Sequence, residues 1–169
     1  MADTPGPSFE GLYRETVFDH FRNPRGRKPL ASADVSNEGL NPVCGDEVKI
    51  ALHFEGDRVK DVSVTGRGCA ISTASGSMLA ELIPGKSIAE VEELVGAVKG
   101  MMHDAGIPEG LDMGDLHALE GVKQFPIRIK CALLSWVTLN DAIEAWKHGG
   151  ARLVKPSSSE EEGKGGFTL

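Results

Sequence analysis

Cysteine and aromatic residues are scarce in this chain: 169 residues include three Cys, two Trp and one Tyr. Three cysteines, an odd count, point to metal ligands, nucleophiles or core residues and not to a disulfide framework. No apolar run approaches the ~18 residues that a membrane-spanning helix needs. Basic residues are also in deficit, 18 Lys+Arg against 25 Asp+Glu for a net charge of −7, which argues against a nucleic-acid-binding surface. The local basic group Arg22, Arg25, Arg27 and Lys28 reads as a solvated turn after a helix. Five histidines (His20, His53, His103, His117, His148) show neither H-x-x-x-H nor H-E-x-x-H spacing, so a zinc hydrolase would lack its ligands and base. Gly66-Arg67-Gly68 has no following Lys-Ser/Thr and is no phosphate loop. Met1–Pro7 has neither a basic n-region nor an apolar h-region, so a cytoplasmic protein with reduced thiols is expected.

What remains is the composition of a soluble globular domain, 40% hydrophobic and 25% charged. A chain of this length buries roughly 68–70% of its unfolded surface and needs no staple to make a core. The expected organisation is a flexible lead-in over 1–7, one domain over 8–148, and a disordered Ser/Glu/Gly-rich tail over 149–169. Phe9, Leu12, Tyr13, Thr16, Val17 and Phe21 fall on one helical face, ended by Asn23-Pro24. A short strand near Ala33–Ser36 sits within a loop over 24–43. Val48, Ile50, Leu52 and Phe54 alternate with polar positions, Gly56-Asp57 turns, and Val59–Thr65 returns with a bulge at Val59. Helices follow over Ile71–Leu82, from the capping box at Ser87–Glu90 to Met102, and from Pro126 to Trp146, with a shorter helical segment near Leu116–Leu119. Ala132, Trp136, Leu139, Ile143 and Trp146 form the buried stripe of the last helix. Strands first and helices later predict an α+β fold, a small three-stranded antiparallel sheet with helices packed on one face.

The three cysteines stand at punctuation points. Cys44 precedes a strand, Cys69 lies between a strand end and a helix start, and Cys131 opens the last helix. A thiol at a helix N-terminus is pushed toward thiolate, which applies to Cys69 and Cys131. Gly45 lets Cys44 and Asp46 face one point, and three thiolates plus a carboxylate would fill a tetrahedral zinc shell. Against this, no C-x2-C pair is present, and from spacing alone three small buried apolar residues are the simpler reading.

Four segments carry a resemblance. Leu12-Tyr13-Arg14-Glu15 with Asp19-His20-Phe21-Arg22-Asn23-Pro24 resembles the opening of the U-type iron–sulfur assembly family (IscU/SufU). Asn41-Pro42-Val43-Cys44-Gly45-Asp46, Gly66-Arg67-Gly68-Cys69-Ala70-Ile71-Ser72 and Phe125-Pro126-Ile127-Arg128-Ile129-Lys130-Cys131-Ala132 resemble its three cysteine motifs, in order. The likeness covers about residues 8–147. Lys130 stands where IscU-type scaffolds have histidine, and the segment between Cys69 and Cys131 is longer than in IscU, both as in SufU-type members. Phe125-Pro126-Ile127-Arg128 replaces the Leu-Pro-Pro-Val-Lys motif of IscU, so a dedicated Hsp70 partner is not implied.

The resemblance implies the family fold and a zinc-dependent sulfurtransferase in iron–sulfur cluster assembly. It implies zinc ligation by Cys44, Asp46, Cys69 and Cys131, with Cys44 accepting persulfide sulfur from a SufS-type cysteine desulfurase; downstream cluster-assembly proteins are further partners. Cys44, beside Gly45 on a loop, is the ligand best able to leave the metal. Arg128, one turn before Cys131, could steady the anionic site or be an exposed helix-start residue, and Lys130 could act similarly. Three thiolates and a carboxylate around Zn²⁺ leave about −2, which these cations would offset. The rival readings are a scaffold that assembles and transfers a [2Fe–2S] cluster on the same residues, and a purely structural zinc.

Overall fold

A computed structural model describes residues 9–149 and 157–158. Helix α1 (Phe9–Arg22) leads into strands β1 (Val35–Asn41), β2 (Asp46–Glu55) and β3 (Arg58–Arg67). Helices α2 (Ala70–Leu82) and α3 (Ile88–Met102), a 3₁₀ segment Gly114–Gln124 and helix α4 (Pro126–Lys147) follow. The fold is α+β. Strands β1 to β3 form the expected antiparallel sheet, and a two-residue strand β4 (Ser157–Ser158) adds a parallel edge to β1. Those two residues belong to the segment read as tail; otherwise residues 1–8, 150–156 and 159–169 lie outside the described residues.

The alternation read from the sequence sets the hairpin. Val48, Ile50, Leu52 and Phe54 all face the core, paired against β3 with a register shift between His53 and Phe54. His53 pairs with Asp61 and Phe54 with Val59, so Lys60 is the extra residue of the bulge. Strand β1 is longer than expected and runs to Asn41, because its Val35, Asn37, Gly39 and Asn41 alternate inward with no apolar run to announce them. The capping box forms as read, Ser87 Oγ accepting from Glu90 N and Glu90 Oε2 from Ser87 N.

Helix α4 occupies the middle of the molecule. Every residue from Cys131 to Leu139 is buried, so the stripe expected on one face widens to the whole circumference. A Cβ on Gly39 would fall onto Thr138 Oγ1 and within 3.2 Å of Leu134 Cδ1, so this glycine lets α4 lie directly on β1. At the far end Trp146 stacks on Phe54, centroids 5.0 Å apart.

Helix α1 departs from its sequence reading at its last turn. Phe21 is exposed, and among the described side chains of the helix His20 is the buried one, with Val17 packed partly against the core. Its Nδ1 is 2.7 Å from Ser77 Oγ on α2, and its Nε2 is 2.8 Å from Asp115 Oδ2 on the 3₁₀ segment. Ser77 Oγ also accepts from Arg25 N at 2.9 Å. Asp115 is therefore the partner of a buried imidazole. Arg25 likewise bridges Asp19 at 2.7 Å and Glu81 at 3.0 Å, tying the turn after α1 to α2.

Candidate metal centre

Three fold elements deliver the chemistry-bearing side chains to one end of the sheet. Strands β1 and β2 are joined by Pro42-Val43-Cys44-Gly45, with Asn41 and Asp46 paired at its base and Gly45 N donating to Asn41 O at 2.9 Å. Gly45 takes φ +70° at the bend, which turns Cys44 and Asp46 to the same side, as the sequence suggested. Cys69 ends the β3–α2 connection as the N-cap of α2, its Sγ accepting from Ser72 N at 3.4 Å. Cys131 enters from α4.

The donor atoms of Cys44, Asp46 and Cys131 lie within 4.8 Å of one another. Cys131 Sγ is 3.5 Å from Cys44 Sγ, and Cys69 Sγ is 3.9 Å from Asp46 Oδ2. A tetrahedral zinc with bonds of ~2.0–2.3 Å sets its donors roughly 3.3–3.8 Å apart, and Cys44, Asp46 and Cys131 are gathered closely enough for one ion, whereas Cys69 lies outside that 4.8 Å group and approaches it through Asp46. The donor set, three sulfurs and one carboxylate oxygen, suits zinc equally. Asp46 is fully buried and held by a backbone donor, Cys69 N to Oδ1 at 2.8 Å. A Cβ at position 68 would lie 2.8 Å from that Oδ1 and 3.1 Å from Ser72 Oγ. Gly68 is thus where backbone must pass close to the carboxylate.

The three thiols differ in setting. Cys44 is exposed, Cys69 half-buried and Cys131 buried. Placement in α4 does not favour thiolate at Cys131: burial pushes its thiol up, and the hydrogen bond with Cys44 and the charge of Cys69 add to this. Six residues into the helix and enclosed, it lies beyond the exposed amides of the first turn. Arg128 is exposed, and the Cys69 and Cys131 sulfurs hold its guanidinium further toward the charged form. Lys130 is half-buried, and an imidazole is absent from this position.

Two residues of the site were not singled out by sequence reasoning. Asn41, buried completely, donates from Nδ2 toward Asp46 Oδ2 at 3.4 Å and Cys131 Sγ at 3.6 Å. Gly68 enters the sequence reading only as part of the segment that leads to Cys69, with no role of its own. A polar residue closing a strand is an ordinary loop signal, so nothing in the spacing distinguished Asn41.

Around the donors the surface is apolar. Val43, Phe125 and Ile127 are 56%, 60% and 63% exposed, an unusual density of bare large side chains beside polar chemistry. A groove of about 390 Å³ lined by Cys44, Gln124, Phe125, Pro126, Ile127 and Arg128 lies on one side. A second, of about 630 Å³, lies between Cys69, Ile71, Val122, Phe125 and Arg128.

Residues 12–149 match the family model described as the NifU-like N terminal domain. The chain belongs to this family. Among its relatives, the zinc-dependent sulfurtransferase SufU of Bacillus subtilis is 38% identical over 85% of this chain and 96% of its own length. The iron–sulfur cluster assembly scaffold protein IscU of Streptococcus pyogenes is 35% identical over 79% of this chain and 83% of its own. A crystal structure from Fervidobacterium islandicum, described as an iron–sulfur cluster assembly scaffold protein for the SUF system, superposes with a TM-score of 0.73 at 36% identity, covering 76% of this chain and 94% of the other. Family membership places this chain in iron–sulfur cluster assembly, and the expected α+β fold is the fold of its solved relatives. Among the described residues no helix is long and apolar enough to cross a membrane.

Proposed function

We propose that this chain is a zinc-dependent sulfurtransferase, taking persulfide sulfur onto Cys44 from a SufS-type cysteine desulfurase. The observation that carries the reading is the asymmetry of the donor group. Asp46 and Cys131 are buried, while Cys44, within 3.5 Å of Cys131, is exposed on a four-residue loop. It is the most exposed of the donors, Cys69 being half-buried, and the loop that carries it can move without unfolding an element.

Cys44, Asp46, Cys69 and Cys131 would hold the zinc ion, which when bound supplies positive charge that keeps the thiols deprotonated without redox chemistry. That charge answers the burial that otherwise keeps Cys131 protonated. The Cys44 thiolate attacks the outer sulfur of the desulfurase persulfide; a new S–S bond forms on Cys44 as the desulfurase S–S bond breaks. The electron pair leaves with the desulfurase cysteine as thiolate, so no net oxidation occurs. Arg128, beside Cys69 and Cys131 and lining the Cys44 groove, offsets the negative charge and faces the place where the terminal sulfur anion develops. Val43, Phe125 and Ile127 give the desulfurase an apolar rim to cover.

Intact mass spectrometry after incubating zinc-loaded protein with a SufS-type desulfurase and cysteine tests this. The expected result is added sulfur on Cys44, faster alanine release, and loss of both in Cys44→Ser. Arg128→Ala should slow sulfur uptake about tenfold or more, the cost of one charge-assisted interaction, with zinc content unchanged. The similarity to IscU scaffolds favours a second reading, assembly of a [2Fe–2S] cluster on the same residues. Absence of added sulfur and of stimulation, with a stable cluster after anaerobic reconstitution, would establish that reading instead.

A further inference from the structure

The donor group has a carboxylate and a thiol buried side by side, and one uncharged side chain touches both. Asn41 Nδ2 sits 3.4 Å from Asp46 Oδ2 and 3.6 Å from Cys131 Sγ. Both acceptors are anionic in a metal-binding state, so the amide orientation follows from chemistry: Oδ1 against either would repel it. One NH₂ group carries two N–H donors, enough to serve both atoms. The same residue also closes the loop below Cys44, accepting from Gly45 N at 2.9 Å.

Asn41 Oδ1, by contrast, is buried with no hydrogen-bond partner. An orphaned buried acceptor costs roughly 1–3 kcal/mol. In the metal-free fold that cost offsets part of what the Nδ2 hydrogen bond to Asp46 contributes. Its Nδ2 side gives the residue its use.

We propose that Asn41 is a positioning residue that holds Asp46 and Cys131 together as a metal-ligand pair, so that metal is retained when Cys44 leaves to take up sulfur. The inference rests on the metal reading above. Cys44 is carried by a loop and exposed; Asp46 and Cys131 belong to a strand and a helix and meet across 85 residues of chain. With Cys44 engaged elsewhere, Cys131 loses its neighbour at 3.5 Å, and Asn41 becomes the bridge between the remaining buried ligands. Partners of this kind, hydrogen-bonded to ligands without being ligands, govern metal affinity by ~10–100-fold.

The test is zinc affinity, measured by competition with a chromophoric chelator, for the parent, Asn41→Leu, Asn41→Ala, Cys44→Ser and the two Cys44→Ser doubles. Asn41→Leu is expected to bind zinc about 10–100-fold more weakly than the parent, while its metal-free thermal midpoint stays within a few degrees, because the orphaned oxygen and the hydrogen bond to Asp46 are lost together. In the Cys44→Ser background the loss is larger. Cobalt substitution supplies a second signature: thiolate-to-cobalt charge-transfer intensity falls in Asn41→Leu, which a packing role alone would not move. Asn41→Ala, checked for folding by circular dichroism, covers the case in which leucine does not fit. Zinc affinities of both variants within twofold of the parent would overturn the proposal and leave the metal reading standing. A correctly folded parent that binds neither zinc nor cobalt would overturn both. A fall in metal-free stability with unchanged affinity would make Asn41 a packing residue and also overturn the proposal.

Discussion

The backbone N–H of Cys69 donates to Asp46 Oδ1 at 2.8 Å, and this bond separates the two oxygens of one buried carboxylate. Oδ1 belongs to the fold, where it ties the start of α2 to β2. Oδ2 faces the thiols and Asn41. Asp46→Asn keeps an acceptor for Cys69 N–H and removes the charge. Its metal-free thermal midpoint should stay within a few degrees of the parent while zinc affinity falls at least tenfold. Asp46→Ala should lose both, with about 1.5–3 kcal/mol from the missing charged hydrogen bond. Thermal unfolding of metal-free protein alongside chelator competition separates the two effects.

Gly68→Ala tests the close approach on the other side of the same carboxylate. The new Cβ would stand 2.8 Å from Asp46 Oδ1 and 3.2 Å from its Cβ, and a side chain held from both sides has little room to give. Overpacking of this kind costs about 1–3 kcal/mol. Zinc affinity should drop with stability, unlike in the surface control Gly96→Ala, where a Cβ meets no atom within 4 Å.

His20→Leu removes the imidazole that joins α1, α2 and the 3₁₀ segment. Ser77 and Asp115 would each lose a partner, at a cost of about 2 kcal/mol or roughly 4–8 °C in midpoint. Hydrogen exchange should show the effect concentrated in α1 and in 114–124, with α3 and α4 protected as before. A uniform loss of protection would mean that the network does not act as a local clasp.

Glu90 gives a pH dependence of known sign. Its hydrogen bonds from Ser87, backbone first, hold the carboxyl below the usual carboxylate range. A depressed folded-state pKa means that the capping contribution is complete above the ordinary value near 4.5 and is lost as pH falls through the lower, folded value. The difference in thermal midpoint between the parent and Glu90→Ala should therefore be constant from neutral pH to about 5 and shrink below 4.5. A difference that persists unchanged at pH 3 would show that helix propensity, and not the capping carboxylate, is responsible.

Much of the fold is legible in residue order because it depends on local rules. The hairpin follows from period-2 alternation and a Gly-Asp turn, the bulge from Val59 falling out of step, and the start of α3 from a serine and a glutamate three residues apart. Strand β1 was shortened because its inward positions are Asn37, Gly39 and Asn41, polar or small residues whose burial depends on α4 lying against them. At the end of α1 Phe21 outranks His20 on any apolar scale, so the sequence puts Phe21 on the buried face with Val17, yet the imidazole takes that place through two partners from elsewhere in the chain.

The same division runs through the site. Cys44, Gly45 and Asp46 adjoin in sequence, and a glycine-permitted bend is enough to turn two of them to one side. Sequence alone also determined that Cys69 stands at an element boundary, where a side chain can emerge toward a neighbour, whereas Cys131 lies a full turn inside α4. Only tertiary structure decided that Cys131 lies 3.5 Å from Cys44, that Asn41 reaches both Asp46 and Cys131, and that Gly68 must be bare beside a carboxylate. The physical reason is distance along the chain. Local propensities act over a few residues, whereas contacts between residues 41, 46, 69 and 131 exist only because a central helix is packed onto the sheet.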